Sequence, residues 1–200
     1  MSKRFALIAA AFGALTLTSA LIPPVHAQDK MSGAKMNEKT VMVGGAPMYP
    51  SKDIVDNAVN SKDHTTLVAA VKAAGLVDTL KSAGPFTVFA PTNTAFTKLP
   101  AGTVDTLLKP ENKAKLTGVL TYHVVPGRLS AATLMRDIKD GGGSARLKTV
   151  EGEELTFKSP GIGKITITDA KGGTSMVTIP DVMQSNGVIH VVDTVLLPAS

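Results

Sequence analysis

The spacing of apolar positions changes character along the chain. From Phe5 to Ile22 the sequence carries no charge and follows directly on Lys3 and Arg4. Val25 and Ala27 then stand in a small-x-small arrangement before Gln28. A positive start, an apolar centre and a small-residue site predict a secretory signal peptide over residues 1–27, cleaved after Ala27. Gly13, Pro23 and Pro24 weaken the helix that a retained anchor would need. Residues 28–50 lack periodicity and contain Gly33, Gly44, Gly45 and Pro47, so they read as a flexible tether, with order starting near Asp53.

From residue 51 the apolar positions recur at helical spacing. Leu67, Val68 and Val71 form one stripe behind Asp63, a predicted N-cap, and Gly75 ends that helix. Leu76, Val77 and Leu80 predict a short turn of helix. Phe86 to Ala90 reads as a strand, and Pro91-Thr92-Asn93 leads into a short helix through Phe96 and Leu99. Thr103 caps another short helix, and Pro110 suits the first turn of one carrying Leu116, Val119, Leu120, His123 and Val124. Ser130 caps one more short turn around Leu134.

Beyond Gly141-Gly142-Gly143 the period becomes two. Strands are predicted at 147–150, 153–158, 164–168, 176–179 and 188–197, divided by glycine-rich turns. Helices first and strands later predict an α+β domain over residues 51–198 rather than alternating βαβ units.

Composition narrows the function. The chain has no cysteine, which excludes disulfides, thiolate metal sites, a cysteine nucleophile and a lipidated-cysteine anchor together. No second apolar run after residue 27 is long enough to span a bilayer, so the cleaved product is expected to be secreted or periplasmic, or held at the cell surface. Lys3 and Arg4 supply two of the formal +5 charges. The remainder, with two tyrosines and no tryptophan, offers no nucleic-acid footprint. Lys98 to Lys148 holds nine basic and four acidic residues, against three and six from Thr149 onward. Such a segment can attract an anionic glycan. Met31, Met36, Met42 and Met48 do not share a helical face, so a soft-metal site is not expected, and no cofactor is implied.

Catalytic motifs are missing. The sequence has no Gly-x-Ser-x-Gly, phosphate loop, dinucleotide fingerprint or His-Glu-x-x-His. Ser32 and Lys35 match Ser-x-x-Lys within the tether, where a nucleophile would not be held. Three histidines follow residue 27. His64 is expected to be exposed in a first helical turn, whereas His123 and His190 lie on apolar stripes and need hydrogen-bond partners if buried. Neither has a ligand or nucleophile close in sequence, which favours scaffold links over a metal pair or a catalytic base. Asp181 and Asn186 flank a turn before the last strand; an exposed Asp181 with Val182 and Met183 would make a protein-recognition spot.

Three stretches resemble the fasciclin family of extracellular domains. Thr87-Val88-Phe89-Ala90-Pro91-Thr92-Asn93-Thr94-Ala95-Phe96 looks like its first box. Tyr122-His123-Val124-Val125-Pro126-Gly127 is similar to its central Tyr-His segment. Asn186-Gly187-Val188-Ile189-His190-Val191-Val192-Asp193 resembles its second box. The overall form is similar to small secreted bacterial proteins with one fasciclin domain. The resemblance implies a β-sandwich or wedge with several short helices packed at one side. It also implies a non-enzymatic, monomeric module for adhesion or interaction at cell surfaces or in extracellular matrix, meeting a protein or an anionic glycan. The resemblance further implies that His123 links to the neighbourhood of Asn93, and that Asn93, Tyr122, His123, Asn186, Gly187 and His190 are mainly structural. Pro180-Asp181-Val182-Met183 matches a segment used for partner binding in animal members. Some fasciclin-like proteins carry pigments, so a carrier of a small apolar ligand such as a pigment or lipid is the alternative. Hydrolysis through His123 or His190 is a third reading.

Overall fold

A computed structural model describes residues 39–199. The predicted signal peptide, Met31, Met36 and the Ser32–Lys35 pair lie outside them. The first described element is unexpected. Strands β1 (Val41–Val43) and β2 (Ala46–Met48) pair antiparallel around Gly44 and Gly45, both at positive φ (58° and 77°). A two-residue turn of that geometry matches the twist of the strands it joins. Val43 and Met48 are buried in the core. Residues 41–48, placed in a tether by their composition, therefore belong to the domain.

A short helix that the sequence did not announce, α1 (Ile54–Ala58), comes next, and α2 (Thr65–Ala74) and α3 (Val77–Lys81) follow as the apolar stripes predict. Gly75 closes α2 in the left-handed conformation that glycine adopts without a Cβ penalty. Asp63 does not cap α2. It sits inside a 3₁₀ turn, Lys62–His64, that precedes the helix. Strand β3 (Phe86–Pro91) leads to α4 (Asn93–Thr97), α5 (Thr103–Leu107), a 3₁₀ turn beginning at Pro110, and α6 (Lys113–Tyr122). After β4 (Val124–Pro126), Ser130 caps α7 (Ala131–Asp140), its hydroxyl accepting from Thr133 N–H. This is a ten-residue helix rather than a single turn.

The remaining strands are β5 (Ser144–Lys148), β6 (Glu154–Gly161), β7 (Lys164–Thr168), β8 (Thr174–Gln184) and β9 (Gly187–Val192). Seven strands make one sheet in the order β4-β3-β9-β8-β7-β6-β5, with β3 and β9 parallel and every other pair antiparallel. The sheet curls until its edges nearly meet, Val150 N–H donating to the Val124 carbonyl at 2.8 Å. Strand β8 crosses Pro180, which cannot donate to a ladder. The register shifts on both sides of it, and Asp181 takes φ 56°, so a bulge absorbs the proline.

The central strands β3 and β9 are buried on both faces. Val88, Ala90, Ile189 and Val191 face a core covered by α1, α2, α3 and α6. Phe89 and Val192 face a second core inside the curled sheet with Tyr122, Leu134, Phe157 and Leu196. The domain is the expected α+β wedge with short helices gathered at one side.

Candidate functional site

Five polar residues of the sequence motifs, Asn93, Tyr122, His123, Asn186 and His190, bond the backbone of a distant element. Asn93, at the start of α4, accepts from Thr66 N–H (3.0 Å) and Thr65 Oγ1 (3.2 Å) and donates from Nδ2 to the Lys62 carbonyl (2.8 Å). Helix α2 has no side-chain cap from its own N-cap residue, His64. Asn93 supplies that cap from across the fold, satisfying donors that a helix leaves free in its first turn.

Asn186 does the same for α1, its Oδ1 accepting from Ile54 N–H at 3.1 Å. Its Nδ2 donates to the Leu80 and Ser82 carbonyls at the end of α3. Asp181 serves α7, with Oδ1 accepting from Ala131 N–H at 2.7 Å. Three helices are thus held by caps from far along the chain, α1 and α7 from β8 and its turn into β9, and α2 from the start of α4.

His123 and His190 are links of the same kind. His123 is 2% exposed. Its Nδ1 lies 2.7 Å from the Val119 carbonyl and its Nε2 3.0 Å from Leu196 N–H. A carbonyl only accepts and an amide only donates, so the ring is neutral with its proton on Nδ1. Burial pushes its pKa down to about 4. The expected link to the neighbourhood of Asn93 is not made by the His123 ring, which reaches Leu196 in the C-terminal segment; its backbone carbonyl meets the first box, accepting from Phe89 N–H at 2.9 Å.

His190 carries the other tautomer. Nε2–H donates to the Leu129 carbonyl at 2.8 Å, Nδ1 accepts from Asp181 N–H at 3.3 Å, and the ring stacks on Phe89 with centroids 5.6 Å apart. Its pKa is lowered chiefly by burial. His64, expected at the surface, is 3% exposed. Its Nδ1 lies 2.9 Å from Ser61 Oγ, and burial lowers its pKa too. Tyr122 donates to the Glu154 carbonyl and accepts from Ala170 N–H. Gly187 faces Phe86 across the parallel pair, where a Cβ would overlap the Phe86 carbonyl oxygen.

The proposed recognition spot changes accordingly. Val182 is 1% exposed and belongs to the helix-side core, so it cannot touch a partner. Asp181 is half-buried and occupied by α7; Met183 remains half-buried. Replacing Asp181 by alanine is expected to cost about 1–2 kcal/mol, because α7 loses a charged acceptor at its N-terminus. Asp181→Asn, which keeps the acceptor and tolerates positive φ, should recover most of it in urea unfolding.

Residues the sequence did not single out complete the scaffold. Buried Asn57 donates to Gln184 Oε1, and Thr87 Oγ1 donates to the Gly127 carbonyl while accepting from Leu129 N–H. Asp169 accepts from the amides of Lys171, Gly173 and Leu197.

The helices held by these caps enclose an apolar cleft of about 70 Å³ between α1, α2, α3 and α6 and the sheet. Val71, Leu76, Val88, Leu120 and Ile189 line it, and Lys72, Thr79 and Val150 reach solvent at its mouth. Val150 is 45% exposed although apolar. His123 contributes to the wall, but both ring nitrogens are already bonded. Among the described residues no group of His, Asp or Glu could hold a metal ion, and no helix is long and apolar enough to cross a membrane.

The fasciclin domain family model matches residues 62–198. Protein sll1483 of Synechocystis is 46% identical over 188 residues, covering 94% of each chain. The immunogenic protein MPB70 of Mycobacterium bovis is 36% identical over 197 residues, covering 94% of this chain and 93% of that one. Transforming growth factor-beta-induced protein ig-h3 of Sus scrofa is 35% identical over 153 residues, which span 74% of this chain and 20% of that protein. A FAS1 domain pair from the insect cell adhesion molecule fasciclin I has the same fold, with TM-score 0.66 at 21% identity. The match covers 74% of this chain and 52% of the pair. With the three motifs and the wedge in place, the chain belongs to the fasciclin domain family.

Proposed function

We propose that this chain is an exported, non-enzymatic binding module that acts in adhesion or interaction outside the cytoplasm. One observation carries the reading: polar atoms of Asn93, Asp181, Asn186 and His123 are used on backbone groups of the fold, leaving recognition to surfaces between and around the helices. Membership in a family that includes a domain pair of a cell adhesion molecule supports it. Export rests on the sequence of residues 1–27. The partner is an extracellular protein or an anionic glycan, with Met183 and the basic segment from Lys98 to Lys148 as contacts. The immobilised protein should retain a defined component of extracellular extracts, with retention weakened by Met183→Ala. Retention of nothing above a denatured control would sink this reading.

The second reading, a carrier of a small apolar ligand, is favoured by the cleft. Apart from its mouth, that space is walled by side-chain carbon and by a histidine with no free nitrogen. A cavity of this kind offers water no partners and accepts apolar molecules instead.

A further inference from the structure

We propose that the cleft between α1, α2, α3, α6 and the sheet binds the tail of a single-chain anionic amphiphile, with its head held by Lys72. The inference rests on the carrier reading and names its ligand class. Size sets the tail. At roughly 10–15 Å³ per water centre, about 70 Å³ admits five or six waters, hence a chain of about six carbons. A bulky polycyclic or long rigid ligand does not fit such a space without moving the helices.

Charge sets the head. Lys72 lines the mouth from α2, and Lys113, at the start of α6, places its ammonium against Gly75 one turn further along. Among the described residues neither lysine forms a salt bridge, whereas Lys81 on neighbouring α3 is taken up by Asp53 and Asp56. A carboxylate at the mouth therefore meets the Lys72 ammonium, with the exposed Thr79 also at the mouth and Lys113 at the end of α2 adding positive charge nearby. Acids also adjoin lining residues: exposed Asp78 beside Thr79, Asp53 and Asp56 beside Ile54 and Val55 but taken up by Lys81, and Glu151 beside Val150, accepting from Glu153 N–H. Val150, left half in water on the opposite rim, lies where the emerging part of the chain would cover it.

The test uses the purified protein, passed over a hydrophobic resin to remove carried lipid, and titrated by calorimetry with decanoate and with decan-1-ol. Decanoate is expected to bind one to one. From butanoate upward affinity should rise about fourfold per methylene until about six carbons are buried, then flatten. Lys72→Gln should weaken decanoate at least fivefold and leave decan-1-ol unchanged. Val68→Phe, which places a ring in the cleft, should abolish both. Equal binding of acid and alcohol with no effect of Lys72→Gln overturns the head-group assignment but leaves the carrier reading standing. Undiminished binding to a folded Val68→Phe protein moves the ligand elsewhere and overturns the site. Binding of neither compound overturns the inference and the carrier reading together.

Discussion

Gly187→Ala is expected to lower the unfolding free energy by roughly 4 kcal/mol, an effect large enough to leave much of the protein unfolded at 37 °C. The added methyl would overlap the carbonyl oxygen of Phe86 and press on the Ile54 side chain. That oxygen belongs to a strand buried on both faces and paired in register with β9. Backbone there cannot give way as a flexible side chain could, so the strands must part and the cores on either side lose contact. Gly118 is the control. It lies in α6 with nothing near its Cβ position, so Gly118→Ala should stabilise by about 0.5–1 kcal/mol through helix propensity. Denaturant midpoints of the two variants, moving in opposite directions, check both.

His123→Ala should cost about 3 kcal/mol at neutral pH. Truncation leaves a cavity beside the cleft and strands the buried Leu196 amide and Val119 carbonyl without their partners. The same residue shapes the acid response. Its native pKa is lowered from 6.5 to about 4, so between those values the unfolded chain binds a proton that the folded chain refuses. Its contribution is fully present above about pH 6.5 and is lost as pH falls toward 4, amounting to about 3 kcal/mol. His64 and His190 are shifted in the same direction and add to the loss. Unfolding curves from pH 7 to 4 should therefore fall more steeply for the native protein than for His123→Ala.

Much of the scaffold was legible because it depends on local chemistry. The period of Leu67, Val68 and Val71, the left-handed Gly75 and the Ser130 cap each act within a few residues, and each element stands where they put it. What the sequence hid has identifiable causes. Gly44-Gly45 between Val43 and Ala46 is a hairpin turn, but three-residue strands are too short to show a period. Pro180 argued for ending a strand before Asp181, and only the bulge explains how β8 continues to Gln184. Asn93, Asn186 and Asp181 cap helices 27, 132 and 50 residues away, and no local pattern reports such a bond. The family resemblance marked these residues but pointed elsewhere, pairing Asn93 with His123 and Asp181 with an outside partner, whereas both cap helices. The cleft was the least visible, since its residues read as ordinary core positions and Lys72 as an ordinary surface lysine. Its space comes from how four helices sit over two strands.

We propose that the motif histidines, His123 and His190, are neutral links of the scaffold rather than catalytic groups. Nitrogen-15 NMR of the three imidazoles across pH 7 to 4 tests it most directly. His123 is expected to stay uncharged to near pH 4 with its proton on Nδ1, and His190 to titrate below pH 6.5 with its proton on Nε2 while neutral. Titration of either ring near pH 6.5 in the folded protein, or the opposite tautomer at His123, would contradict it.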